Sequence, residues 1–537
     1  MISPLLSIGV AFAQSSVVFA QMSQVVYDGM FIYCILNEFA YQDTKIRSVH
    51  FSVLSIYLLY RFVSIFGASV FFLPIDLLEG RLWKAALVVN LLFYLPFRLT
   101  SWICCGRRWL EDHDDIRLNS RGVVPKQTHQ NRLIHGPILV IIPCHKEPLD
   151  IIVASLTSVF ATQYPNLHVF VSFDGSENKE AFSGLAKKFE ATFQDRFPYA
   201  CAEARVNGTM LTLLLFGHGG KPQCQKNTLD HIMSVHSKLV VEETYALFLD
   251  SDTTIPKYAL SLLAERVFVP SSGMTDVAAL SLVQGVENAS SSFLSALQET
   301  EYLDYGIHVE VVMSSLGNVT CLSGTTMFLR LNVALDVFDT LLKEKALHKT
   351  LHHHWKYHYG DDRLLTLLTE RKAGSRCSDI HTGIICNTQP ALPMMNLVIQ
   401  RRRWFLGAVA TDAAALCDPS YWLTTPILAR YRLLNHAAQT TDSQIICLAI
   451  LITLGNLEEY RWVVGVVIIS MGMNMLSLFC FASVRRRSVV VWYMYPIFLI
   501  LAPMFNIVVK IFTIATVRDR KWGGVRGLPM VISKGRQ

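Results

Sequence analysis

Charge is scarce in this chain. Of 537 residues only 17% are Asp, Glu, Lys or Arg, against 52% hydrophobic. That balance excludes an ordinary soluble enzyme, whose surface needs more polar side chains than this. A dense basic stripe is missing too. The 48 basic and 42 acidic residues leave a net charge of +6, too mild for a nucleic-acid binder and in keeping with basic loops beside a bilayer. The 12 cysteines form no CxxC pair and no finger-like Cys/His spacing, a pattern that points away from a zinc-finger type of structural zinc and to a reduced compartment. Internal repeats and long low-complexity linkers are absent. The length nonetheless exceeds one small domain and leaves room for membrane helices beside a catalytic domain.

The apolar residues are clustered. Residues 51–74 and 84–104 each approach the roughly 20 residues that cross a bilayer. Arg61 and Arg98 interrupt them and are expected to snorkel or to meet a polar groove. Residues 3–20 are apolar but rich in Ser, Gln and Ala, with no basic segment ahead of them. They suit a peripheral or first membrane helix, the alternative being a signal peptide cut after Ala11-Phe12-Ala13. Further apolar blocks lie at 443–455, 462–483 and 489–516. The last carries Pro496 and Pro503 and has Arg485-Arg486-Arg487 before it and Arg518, Arg520 and Lys521 after it. Both flanks prefer the cytoplasm, so a kinked, re-entrant or double-pass element is expected. Arg107, Arg108, Arg117 and Arg121 are placed in the cytoplasm by the same tendency. The expected organisation is membrane helices over 1–105, a cytoplasmic catalytic domain over 106–390, interfacial helices over 391–440, and membrane helices with a terminal loop over 441–537.

Between Pro137 and Pro390 short β-branched runs alternate with amphipathic stretches. ILVIIP (138–143), HVFVSFDG (168–175), TLLLFGH (212–218) and YALFLDSD (245–252) predict strands of a mostly parallel α/β sheet. Each runs into polar or Gly-rich residues, where such sheets hold ligands. Asp250-Ser251-Asp252 places two carboxylates at a strand end, a donor set for Mg²⁺ or Mn²⁺ bridging a diphosphate. Asp174 ends another strand and is suited to accept a hydrogen bond from a uracil N3–H. Lys221 closes the turn His218-Gly219-Gly220-Lys221 and reads either as a diphosphate contact or as a solvated surface lysine. Gly360-Asp361-Asp362-Arg363 precedes a helical stretch; one Asp suits a general base and the other a helix cap. The His352-His353-His354 run lacks ligand spacing with partnered carboxylates and is expected as a surface cluster. In Gln400-Arg401-Arg402-Arg403-Trp404 an arginine can neutralise a diphosphate, and the indole offers a flat face to a sugar ring.

From about Pro137 to Gly527 these motifs, in this order, resemble the processive family-2 glycosyltransferases: chitin, hyaluronan and cellulose synthases. The resemblance implies an α/β GT-A (Rossmann-like) cytoplasmic catalytic domain embedded between α-helical transmembrane segments that form a polymer channel. It implies metal ligation by Asp250 and Asp252, uridine contact by Asp174, and Asp362 as the catalytic base, with Asp252 sharing catalysis through the metal. It implies substrate contacts from Gln400, Arg403 and Trp404, beside Lys221. Thr320-Cys321-Leu322-Ser323-Gly324 looks like the acceptor-site loop, and Trp522-Gly523 like the gate loop. GDDR is the hyaluronan-type spelling of the base motif and QRRRW the chitin-type spelling of the other; the gate loop reads WGGVRG, not WGTRG. The expected activity is inverting transfer from a UDP-sugar, with chitin synthesis ahead of hyaluronan or another capsular polymer. The expected partners are the UDP-sugar, the growing polysaccharide and the bilayer, with no nucleic acid; a homo-oligomer is compatible with this. An idle scaffold or transporter retaining the fold, and a non-processive lipid-linked transferase, are the competing classes. The expected location is the plasma membrane, as a multi-pass integral protein.

Overall fold

The computed structural model describes residues 2–41, 47–69, 81–111, 136–195, 197–236, 238–268, 277–347, 350–374, 377–437, 449, 452–453, 458–483 and 488–520. Three helices, Ile2–Tyr41, Arg47–Ser69 and Arg81–Glu111, precede a ten-stranded sheet. The strands are β1 (Ile138–Cys144), β2 (Leu167–Asp174), β3 (Thr192–Gln194), β4 (Ala200–Val206), β5 (Thr209–Phe216), β6 (Tyr245–Leu249), β7 (Thr253–Thr254), β8 (Ala279–Val286), β9 (Thr326–Arg330) and β10 (Ser378–Thr388). Their spatial order is β3-β4-β5-β2-β1-β6-β9-β8-β10-β7.

The four runs read as strands from the sequence form one parallel block, β5-β2-β1-β6. The sheet as a whole is mixed, which corrects the expectation of a mostly parallel one. β9 runs antiparallel between β6 and β8, and β3, β4 and β7 are also antiparallel to their neighbours. The reason for β9 is local. The Thr320–Gly324 loop feeds it from the edge at which β6 ends, and Asp250 N donates to Thr325 O across that edge at 3.0 Å. A strand entering where its neighbour leaves must run the other way.

Both faces of the block are buried, so its strands are apolar throughout rather than alternating. Ile138, Val140 and Ile142 of β1 join one core, while Leu139 and Ile141 join the other. The second core is continuous with Phe31 of the first helix, Leu406 of the Met394–Leu416 helix and Tyr495 of the Ser488–Ala515 helix. The flanking helices are thus packed into the hydrophobic core of the sheet, not tethered to it.

Among the described residues one helix, Arg461–Phe481, is long and apolar enough to cross a membrane. The pair Tyr493–Leu499 and Met504–Ala515, bent by 49°, makes a second if counted as one span. That bend falls within the 489–516 block, where the sequence carries Pro503. Residues 3–20 belong to the 40-residue helix Ile2–Tyr41. Arg61 is buried, and its Nε donates to both Asp28 oxygens at 2.9 Å. Most of the 443–455 block, Arg117, Arg121, Arg485–Arg487, Lys521 and the Trp522-Gly523 loop lie outside the described residues.

One expectation on surface charge is corrected. His352 and His353 are buried, because His352 Nε2 and Lys356 Nζ converge on Glu38 of the first helix, at 2.7 and 2.8 Å. Arg108, which the positive-inside tendency places on the cytoplasmic side, is also buried. It pairs with Asp379 of β10, which Arg266 and Ser314 also bond. Burial alone would raise the Asp379 carboxyl, yet the two guanidiniums hold it well below the usual carboxylate range. Arg108→Ala is expected to destabilise by about 3 kcal/mol, the low end for breaking a buried pair, since Arg266 remains. Thermal unfolding in detergent checks this, and Asp379→Asn on the Arg108→Ala background should recover part of the loss.

Candidate active site

Strand ends and three helices build the site at one edge of the sheet. β6 ends at Leu249, so Asp250 and Asp252 project from the edge where ligands of open α/β sheets bind. Lys221 opens the helix Lys221–Val235 after the Gly-rich turn. Its Nζ lies 2.7 Å from Asp250 Oδ1 and donates to the Gly324 carbonyl at 2.8 Å. The surface-lysine alternative therefore fails. A Cβ on Gly324 would sit 3.4 Å from Asp362 Oδ2 and 3.5 Å from Lys221 Nζ. Lys221, Asp250, Gly324 and Asp362 thus share one small volume.

The Asp361–Ala373 helix presents the base motif. Asp361 and Asp362 occupy its first turn, where the helix dipole favours carboxylates, and Gly360 rather than either Asp is the N-cap. Asp362 Oδ1 accepts from the Arg363 amide at 2.8 Å. Burial, followed by the Asp362 charge, pushes the Asp361 carboxyl above its ordinary value; Lys221 and Arg403 pull it back. Burial and the Asp362 charge also push the Cys321 thiol up, so it stays an S–H beside that carboxylate.

The three arginines of Gln400–Trp404 separate because successive helical residues are rotated by about 100°. Arg401 makes a bidentate pair with Glu301, at 2.9 and 2.6 Å, and its guanidinium lies 4.0 Å from the Trp404 ring centre. Tyr302 packs against the same indole with centroids 6.0 Å apart. Arg402 Nε donates to Thr516 Oγ1 at 2.6 Å, and its Nη2 donates to the Asp519 carbonyl at 2.9 Å. It holds the end of the last described helix. The Arg403 charge pulls the Asp361 carboxyl down. Gln400 Oε1 accepts from Arg401 at 2.5 Å, so it braces its neighbour.

Asp174 stands at the end of β2, which β1 alone separates from the strand that Asp250 follows, on the same edge of the sheet. Its two oxygens accept from the Gly219 and Gly220 amides at 2.8 and 3.0 Å. Gly220 has φ +85°, which a side chain would strain. His145 and His218 flank this carboxylate.

A divalent ion fits the Asp250–Asp252 pair by donor chemistry, since hard cations take carboxylate oxygens. The Lys221 ammonium already stands against Asp250 as a cation would.

Sequence reasoning missed several residues here. Gln284 Nε2 donates to Thr325 Oγ1 at 2.7 Å and also bonds Ser323, fixing the Thr320–Gly324 loop. Glu301 and Tyr302 have no local signal, because their partners lie about a hundred positions away. Gly407 had one: it falls one helical turn after Arg403. A Cβ there would lie 2.6 Å from Tyr359 O and 2.7 Å from Gly360 N.

Glu370, two turns past the base motif, is buried with neither carboxylate oxygen hydrogen-bonded. Burial pushes it up to about 8, against the pull of Arg432. Its folded value exceeds its unfolded value, so the native state is progressively penalised as pH rises from about 4.5 towards 8. Glu370→Gln is expected to raise Tm at pH 8 and to change it little at pH 5; equal shifts at both would refute the charge as cause.

The sequence model described as Glycosyltransferase like family 2 matches residues 135–407. Chitin synthase VI of Metarhizium acridum is 30% identical over 398 residues, 72% of this chain and 62% of that protein. Chitin synthase 7 of Pyricularia oryzae is 26% identical over 517 residues, 92% of this chain and 60% of that one. Chitin synthase 6 of Gibberella zeae is 28% identical over 515 residues, covering 92% and 64%. The chain thus spans about three-fifths of the length of these relatives. Among solved structures, the mannosyltransferase PcManGT of Pyrobaculum calidifontis, in complex with GDP-Man and Mn²⁺, aligns at TM-score 0.35 and 16% identity, covering 71% of this chain and 98% of that one. A likeness that distant places no residue. The matched span contains Asp174, Asp250, Asp252, Asp362 and the whole of Gln400–Trp404, and on it the chain belongs to the family-2 glycosyltransferases.

Proposed function

We propose that this chain is a membrane-embedded, processive, inverting β-glycosyltransferase that polymerises N-acetylglucosamine from UDP-N-acetylglucosamine into chitin and passes the polymer through the bilayer. The observation that carries this is the convergence of Lys221, Asp250, Gly324 and Asp362, with Arg403 near enough to be felt by Asp361. The similar chitin synthases support the choice of polymer over hyaluronan. The proposed organisation keeps membrane helices over 1–105 and 441–537, the cytoplasmic GT-A domain over 106–390 and interfacial helices over 391–440, in the plasma membrane.

Asp250 and Asp252 are the residues that hold Mg²⁺ or Mn²⁺. When bound there, the ion offsets charge on the leaving diphosphate. Asp174 orients the uracil. Lys221 and Arg403 offset the negative charge on the diphosphate oxygens. Asp362 takes the proton from the acceptor hydroxyl. That oxygen bonds to the anomeric carbon as the opposite C–O bond to UDP breaks, which inverts the centre. Gln400 steadies Arg401, and the Trp404 indole receives the terminal acceptor sugar on the area Arg401 leaves uncovered.

Purified membranes given single labelled UDP-sugars test this. UDP-N-acetylglucosamine alone should yield a chitinase-sensitive polymer; exhaustive chelation should abolish it and Mg²⁺ or Mn²⁺ restore it. A product that also requires UDP-glucuronate would overturn the chitin assignment. Full activity after chelation would overturn the metal assignment.

A further inference from the structure

Three neighbouring parallel strands, β5, β2 and β1, end at the same edge and bring His218, Asp174 and His145 together. His218 Nδ1 lies 3.1 Å from Asp174 Oδ2, and His145 Nδ1 lies 4.0 Å from the same oxygen. One donor atom from each residue falls within 4.8 Å of the other two. The imidazoles are 5.2 Å apart at 35°. The Asp174 side chain is only 4% exposed, while those of His145 and His218 are 39% and 63% exposed. A buried carboxylate therefore lies beside two imidazoles that are open to solvent.

The carboxylate is oriented from behind by the Gly219 and Gly220 amides. Such outer contacts preset a metal ligand. Glu177 Oε1, 3.8 Å from His145 Nδ1, stands ready as a further oxygen donor, with Lys146 Nζ 3.9 Å from it. His145 Nδ1 also lies 2.8 Å from the Asp174 carbonyl oxygen, a contact that a bound ion would replace unless His145 coordinates through Nε2.

We propose that His145, Asp174 and His218 form a Zn²⁺ site distinct from the Asp250–Asp252 pair, and that zinc held there competes with the nucleotide for Asp174. The second half rests on the function proposed above. Two imidazoles and one carboxylate suit zinc, with water completing a tetrahedron. They suit Mg²⁺ poorly, because that ion takes oxygen donors in a near-octahedral shell. The Asp250–Asp252 pair offers only oxygens. The two ligand sets thus sort two kinds of cation on one sheet edge.

The test uses the whole detergent-solubilised protein in excess Mg²⁺, with Zn²⁺ titrated against a chromophoric chelator. Wild type should hold one zinc ion. His145→Gln and His218→Gln should each weaken it by at least about 10-fold, while Asp250→Asn leaves it unchanged. Unaltered thermal unfolding of the Gln variants confirms that they fold. Equal zinc affinity in wild type and both Gln variants would overturn the site, as would loss of binding only in Asp250→Asn. UDP should weaken zinc binding in wild type. Histidine-dependent zinc binding that UDP does not affect keeps the metal site and overturns the placement of the nucleotide at Asp174.

Discussion

Asp362→Asn is expected to lower the rate of sugar transfer by about 10²–10⁴-fold, the contribution of a positioned general base. At about 1.36 kcal/mol per decade this is roughly 3–5 kcal/mol of barrier. Asn keeps the shape of the side chain and its hydrogen bond from the Arg363 amide, so folding and UDP binding should persist. The loss should appear in kcat, because a base acts on the reacting proton and not on the bound donor. Asp361→Asn is the contrasting variant. Its carboxyl is pushed up by burial and by Asp362, so it already carries a proton more readily than an ordinary aspartate. Making it permanently neutral should relieve that conflict and preserve most of the activity. Single-turnover transfer from labelled UDP-sugar measures both. An inactive Asp361→Asn beside an active Asp362→Asn would reverse the assignment.

The parts of the site legible in the sequence share one property: each is carried by a local pattern. The runs that became β1, β2, β5 and β6 are apolar because both faces are buried, and a continuous apolar run can be seen without knowing its neighbours. Asp174, Lys221, Asp250 and Asp252 were found because each follows such a run. β8 and β10 were not assigned. ALSLVQGV is broken by Gln284 and Gly285, and β10 shifts register between His381 and Ile385. β7 has only two residues and exists through its pairing with β10.

The charges behaved differently. Three adjacent arginines look alike in one dimension, yet one binds Glu301, one holds Thr516 and Asp519, and one acts by its charge on Asp361. Only rotation about the helix axis, with partners about 100 residues away in either direction, distinguishes them. The same holds for His352, whose partner Glu38 is 314 positions distant, and for Arg108, whose partner is 271 positions away. A basic or imidazole side chain with no visible partner reads as surface. Its burial is decided by a carboxylate that the fold brings in, since an unpaired buried charge would be too costly. Apolar periodicity is thus readable locally, and ionic pairing is not.

Gly407→Ala is expected to damage the site without touching a reacting group. The helix Met394–Leu416 crosses the start of the base motif at a point where two backbones meet. A Cβ on Gly407 would lie 2.6 Å from Tyr359 O and 2.7 Å from Gly360 N. A Cβ on Gly360 would meet Gly407 O at 2.9 Å and Thr411 Oγ1 at 2.8 Å. These obstacles are mostly backbone, so no side chain can rotate aside and the two helices must part. Overpacking of this kind costs about 1–3 kcal/mol. The geometry matters more. Gly407 is one turn after Arg403, and Gly360 immediately precedes Asp361 and Asp362. The turn entering Gly360, Trp355–Tyr359, is a π-helix closed by Gly360 N to Trp355 O at 3.0 Å, so it already departs from regular helical spacing. Separating the helices shifts the carboxylates relative to Arg403, and a displacement near 1 Å is enough for about a 10²-fold loss of rate. Gly472→Ala is the control: it lies in the Arg461–Ser483 helix and its Cβ would meet nothing within 4 Å. It should leave Tm and rate within error of wild type. Gly407→Ala should lower both, with UDP affinity changing less than kcat. A Gly407→Ala protein with wild-type rate and Tm would mean that the two motifs are aligned by something other than this backbone contact.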